Sequence, residues 1–212
     1  MKNEKVTLFK SKEHASHETL LSFWKRAQKG ILLLLCVIVL GLATYQGTRY
    51  FQKSRMRNMQ AAFMSLKDDV QRLAFAKKYA SLPLGGLVTL SLADDAYKMG
   101  KYEDAADLYS KARKGLKDTL FYQRAKLGQG IALIAAGKAD KGKERLKKLA
   151  LDKGTSAIIA AEAFFTLAVS EFEGKHYSDC KMYLGEVYKI PSAGIFIEKA
   201  KILEEQLEKS VK

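Results

Sequence analysis

The chain predicts an all-helical protein: one N-terminal membrane-spanning helix, then a solenoid of helix pairs closed by capping helices. Three observations carry this reading. An uncharged apolar run extends from Gly30 to Thr48, small residues and glycines recur at regular spacing between 92 and 191, and strand signals are scarce. Pro occurs only at 83 and 191, and alternating β-branched residues are few, so helices account for the soluble part better than a sheet.

Residues 1–29 form a basic leader with seven basic and three acidic side chains, expected to be flexible. Residues 30–48, GILLLLCVIVLGLATYQGT, make a helix of about 28 Å at ~1.5 Å per residue, close to the ~30 Å of a hydrocarbon core. Phe23 and Trp24 precede the run, and Tyr45, Tyr50 and Phe51 stand at its far edge, as interfacial anchors do. The competing reading is a cleaved secretory signal. The long leader and a run exceeding the usual signal core favour an uncleaved anchor.

Both flanks are basic, with Lys25, Arg26 and Lys29 on one side and Arg49, Lys53, Arg55 and Arg57 on the other. The positive-inside count therefore does not fix orientation. Long domains translocate largely regardless of charge, whereas a short lysine-bearing leader is retained, which favours a cytoplasmic N-terminus and an extracytoplasmic domain.

Residues 49–80 are expected to form a juxtamembrane capping helix, with Met59, Phe63, Leu66, Val70, Leu73 and Ala74 on one face. The segment from Ser81 to Gly86, SLPLGG, punctuates it. Residues 50–212 hold 29 basic and 20 acidic side chains, a net +9, and are long enough for one domain with a contiguous core. A terminal capping helix over 193–210 places Phe196, Ala200, Leu203 and Leu207 inward and Glu204, Glu205 and Glu208 outward.

Between these caps lie three repeats, approximately 86–119, 123–156 and 161–192. The first has small residues at Ala93, Ala96, Ala105 and Ala112, a turn glycine at Gly100, and aromatics at Tyr102 and Tyr109. The second runs from Gly128 past Gly137 and Gly142, offset by 37. The third runs from Leu167 past Gly174 to Cys180, offset by 38, with Cys180 in the small-residue slot and a turn read as one residue longer. Two antiparallel helices that cross closely need small residues where they touch, an aromatic to fill the remaining space, and glycine at the turn. The pattern resembles a tetratricopeptide repeat.

With its leader, single anchor and repeat domain, the chain also resembles the ancillary SecYEG translocon subunit family, whose soluble part is a tetratricopeptide-like domain. The resemblance implies that the first helix of each repeat lines a groove. In this sequence that gives Leu87, Leu90, Asp94 and Tyr97, then Arg124, Leu127, Ile131 and Ile134, then Glu162, Phe165, Val169 and Phe172. Such a groove is expected to be largely apolar and to suit a partner helix or unfolded segment. A carboxylate clamp is not expected, because Asp94 occupies one clamp place and Arg124 is the only basic match. The alternative is that the terminal helix fills the groove and these residues are core.

A second candidate surface is the face shared by Lys138, Lys141, Arg145 and Lys148, suited to anionic headgroups or an acidic partner. Nucleic acid is not expected, since the aromatics occupy packing positions and do not alternate with the charges. Of the three histidines, His14 and His17 lack further metal ligands at suitable spacing and His176 falls in a turn. Gly128 and Gly130 follow no strand and precede no phosphate-binding lysine. Cys36 and Cys180 fall in different regions, and Cys180 reads as a buried structural thiol. No nucleophile, base and orienter set is legible, so neither an enzyme nor a cofactor is expected. The preferred functional reading is a membrane-anchored interaction module of a bacterial plasma membrane, serving the secretory translocon or an associated chaperone. The alternative is a scaffolding envelope protein that self-associates or docks on anionic lipid.

Overall fold

The computed structural model describes the backbone of residues 2–211 and the side chains of residues 24, 28 and 30–210. The readings placed on His14 and His17 lie outside the described side chains. Among the described residues the chain forms nine helices and no strand: α1 (Lys2–Met64), α2 (Asp69–Lys78), α3 (Pro83–Lys98), α4 (Tyr102–Leu116), α5 (Phe121–Ala135), α6 (Ala139–Ala150), α7 (Ala157–Glu173), α8 (Tyr177–Tyr188) and α9 (Ile195–Val211). It divides into two compact units, Met1–Ala61 and Ala62–Lys212.

The first unit is the body of α1. No glycine or proline occurs before Gly30, and six of the leader's residues are Lys and three are Glu, both good helix formers. The backbone is accordingly helical from Lys2, where a flexible leader was expected. Along the apolar stretch Leu32, Leu33, Leu34, Val39 and Leu40 are all exposed. This is the one helix among the described residues that is long and apolar enough to cross a membrane. Thr44 donates its hydroxyl to the Leu40 carbonyl at 2.9 Å and Thr48 to that of Tyr45 at 2.8 Å, so neither hydroxyl needs water.

The second unit opens with a correction. The helix expected over 49–80 breaks after Met64, and α2 starts anew at Asp69. Asp68 caps it, accepting from the Gln71 amide at 2.8 Å, while the Gln71 side chain accepts from the Lys67 amide at 3.0 Å. The break resets the helical phase. Val70, predicted to face inward, is 79% exposed, and Phe75, Ala76 and Tyr79 are buried in its place. Phe63 meets Phe75 at 5.9 Å between ring centroids, and Arg72 reaches Asp95 at 2.8 Å, joining α2 to α3.

Helices α3 to α8 follow one another as three antiparallel pairs, α3 with α4, α5 with α6 and α7 with α8. Within each pair the turn has three residues: 99–101, 136–138 and 174–176. All three share one hydrogen-bond pattern. The amides of Lys101, Lys138 and His176 donate back to the carbonyls of Ala96, Leu133 and Glu171, at 2.9, 2.9 and 2.8 Å. The residue that closes the turn has positive φ: Gly100 at 75°, Gly137 at 76° and Lys175 at 59°. The third turn is therefore no longer than the others. Gly174 caps α7, and Lys175 takes the left-handed position that glycine holds in the other two.

Two buried clusters fill the domain. One joins α3, α4 and α5 and is built mainly from small residues, Ala93, Ala105, Ala112, Ala125 and Ala132, with Leu90, Leu116 and Tyr109. The other runs from Leu127 and Leu146 through Leu167 and Leu184 to Leu203 and Leu207 on α9. Helices α5 and α6 approach so closely that a Cβ on Gly142 would lie 2.7 Å from the Gly130 carbonyl oxygen. The terminal helix buries Phe196, Ala200, Leu203 and Leu207, as its stripe predicts.

Candidate functional site: a polar cleft

A cleft of about 370 Å³ opens between α3, α5 and α7. It is lined by Asp94, Tyr97 and Lys98 of α3, Tyr109 of α4, Arg124, Gly128 and Ile131 of α5, and Glu162 of α7. Tyr109 reaches the cleft because Gly128 leaves room for it: a Cβ there would sit 2.6 Å from the phenol ring. The Tyr109 hydroxyl donates to the Asp94 carboxylate. Arg124 approaches the same carboxylate oxygen, with 3.9 Å between Nη2 and Oδ1.

Burial pushes the Tyr109 hydroxyl far above its ordinary pKa, and the Asp94 carboxylate adds to the shift. The phenol thus stays protonated at neutral pH and donates to Asp94. Tyr97 is also raised, chiefly by burial and then by Tyr102, whose ring lies 5.1 Å away. The cleft offers a carboxylate held by two neighbours, a guanidinium and a second carboxylate around an isoleucine. Such an array offers acceptors for amide and ammonium groups and a guanidinium donor.

Of the groove residues read from sequence, Asp94, Tyr97, Arg124, Ile131 and Glu162 come together here. Leu90 and Leu127 are fully internal and belong to the core. Leu87 packs half-buried on the first cluster, and Ile134, Val169 and Phe172 on the second, with Phe172 against Tyr177 at 6.1 Å. Phe165 is covered by the terminal helix, 5.9 Å from Phe196 and beneath Lys199. Of the third-repeat residues, Phe165 thus lies against α9 while Glu162 lines the open cleft, whose lining is more charged than apolar. Lys98, Tyr109 and Gly128 were not read as lining. A tyrosine where phenylalanine would fill the space equally well is the signal that could have identified Tyr109.

The basic face is partly engaged. Lys138 pairs with Glu103 at 2.7 Å, and Arg145 contacts the buried Gln129 at 3.4 Å. Lys141 and Lys148 are exposed and make no ion pair among the described residues. Sequence reasoning also missed Glu171, which is buried between Lys143 and His176, each 2.9 Å away. Burial pushes its carboxyl upward, but the two hydrogen bonds outweigh that and hold it below the usual carboxylate range. Cys180 is fully buried, and burial, with the nearby Glu171, raises its thiol. No cluster of metal-ligating side chains occurs among the described residues. Comparison with protein families, curated proteins and solved structures finds no match.

Proposed function

We propose that this protein is a membrane-anchored interaction module without catalytic activity. In this reading residues 30–48 are the anchor, α3 to α9 form a tetratricopeptide-like solenoid with its cap, and the cleft holds an extended or helical segment of a protein partner. The resemblance to the ancillary translocon subunits suggests the partner class: translocon subunits, an associated chaperone or a chain in transit. It also suggests the location, a bacterial plasma membrane with the N-terminus in the cytoplasm and the repeat domain outside.

The polar cleft carries the reading, because its array of fixed donors and acceptors has no structural duty that an apolar core would not perform as well. The scaffolding alternative through Lys138, Lys141, Arg145 and Lys148 has less support, since Lys138 is already paired with Glu103. Photocrosslinking in intact cells from Ile131 or Tyr97, with Glu208 as an outward-facing control, tests the proposal. Protein adducts formed from the cleft positions and not from Glu208 are the expected result. Equal or absent yields from all three overturn it.

A further inference from the structure

The helix pairs give the domain two unlike ends. At one end lie the turns within pairs, tied together by Lys138 to Glu103 and by Lys143, Glu171 and His176. At the other lie the loops between pairs, 117–120, 151–156 and 189–194. These loops are neighbours: Gln123 at the start of α5 bonds Gly154 at 2.7 Å and Ser156 at 3.0 Å, and Ile158 sits beside Gly194.

Each loop between pairs presents one aliphatic side chain to solvent: Leu120 at 94% exposure, Leu151 at 62% and, just after the last loop, Ile195 at 63%. Single exposed aliphatics are ordinary on any surface. Here three share one end of the helix pairs, Leu120 just before α5, Leu151 just after α6 and Ile195 at the start of α9. They stand among Lys77, Lys78, Lys114, Lys117, Lys147 and Lys148, all exposed.

Helix dipoles explain only part of this charge. Basic residues suit the C-termini of α2, α4 and α6, and the acids Glu103, Asp104, Asp140 and Asp179 suit the N-termini of α4, α6 and α8 at the opposite end. By the same rule the N-termini of α3, α5 and α7 should bring acids to the loop end. None of the three has one in its first turn. At α9 Glu198 does follow the rule, and Asp118 and Asp152 also stand in these loops, but the exposed lysines around the aliphatic tips outnumber the acids.

We infer that this end docks on the surface of an anionic lipid bilayer, with Leu120, Leu151 and Ile195 entering the headgroup layer and the surrounding lysines neutralising lipid phosphates. Apolar insertion combined with basic attraction is the chemistry by which surfaces bind bilayers without spanning them. The inference rests on the anchor reading, which supplies the nearby membrane, and concerns a surface separate from the polar cleft.

The test uses the full chain reconstituted in phosphatidylcholine vesicles containing about a quarter phosphatidylglycerol. A photoreactive residue is placed at Leu120, Leu151 or Ile195, at Met99 on the opposite end, which is equally exposed at 63%, and at Leu35 in the apolar helix. Lipid adducts at the three loop positions several-fold above Met99, falling several-fold in pure phosphatidylcholine, are expected. Loop yields equal to Met99, or adducts to a second protein copy in place of lipid, overturn the inference. The Leu35 yield separately decides the anchor, so docking and anchoring fail in distinguishable ways.

Discussion

The turns within helix pairs and the loops between them solve the same problem, reversing a chain, under different constraints. The turns are three residues each and share one hydrogen-bond pattern, whereas the loops have four, six and six residues. In the turns the backbone dictates the residue, and glycine or a strained substitute must stand at one place. The longer loops leave most side chains free, so what they carry is not demanded by chain reversal. An exposed leucine or isoleucine there calls for an explanation outside folding.

The largest expected effect tests whether the loop end is tolerant throughout. Gly85 packs at that end where α2 leads into α3, and a Cβ there would lie 2.0 Å from the Tyr79 carbonyl oxygen. Gly85→Ala should cost about 3 kcal/mol in urea denaturation, because backbone has to move. A cost near zero would mean that the junction is as forgiving as the loops.

Next is Glu171 at the turn end. Replacing it with Gln removes the charge-assisted hydrogen bonds to Lys143 and His176, and the expected loss is about 2 kcal/mol at neutral pH. Because its folded carboxyl is held below the ordinary value, its contribution is present above that value and fades as pH falls through the ordinary carboxylate range toward the folded one. Glu171→Gln should therefore show a shallower acid-side loss of stability than the parent chain. Identical acid profiles would remove Glu171 from the account.

Smaller effects separate the three turns. Gly137→Ala forces an alanine into positive φ and should destabilise by about 1 kcal/mol. Lys175→Gly relieves the same strain and should stabilise by about 0.5 kcal/mol, partly offset by the freedom glycine gains when unfolded. The smallest expected change is Leu120→Ser, within about 0.5 kcal/mol, measured as a thermal midpoint. A large loss there would show that the loop tip serves folding after all.

The helices were legible because close helix crossings need small residues: Ala93, Ala105 and Ala112 are all fully buried, and Gly142 and Cys180, read as small-residue positions, are buried as well. The break at 65–68 was not, because the apolar spacing through it mimics one continuous helix while the cap formed by Asp68 and Gln71 leaves only a polar trace. In the third turn, Gly174 draws the alignment to itself, yet the left-handed residue is Lys175. The cleft was read as apolar because spacing identifies which residues share a face and not how far each is covered. Only tertiary packing shows that α9 covers Phe165 while Asp94 and Arg124 stay reachable.

The larger buried cluster also bears on how the domain comes apart. It passes without interruption from Leu127 on α5 to Leu207 on α9, and Glu171 ties α6 to the α7–α8 turn within the same stretch. A helix at the edge of a stack usually frays by itself. Here releasing α9 would strip the cover from α7 and α8, so α7, α8 and α9 are expected to open together. Their amide hydrogens should exchange at similar rates, and α3 and α4, which pack with α5 on the alanine-rich cluster, at a different one.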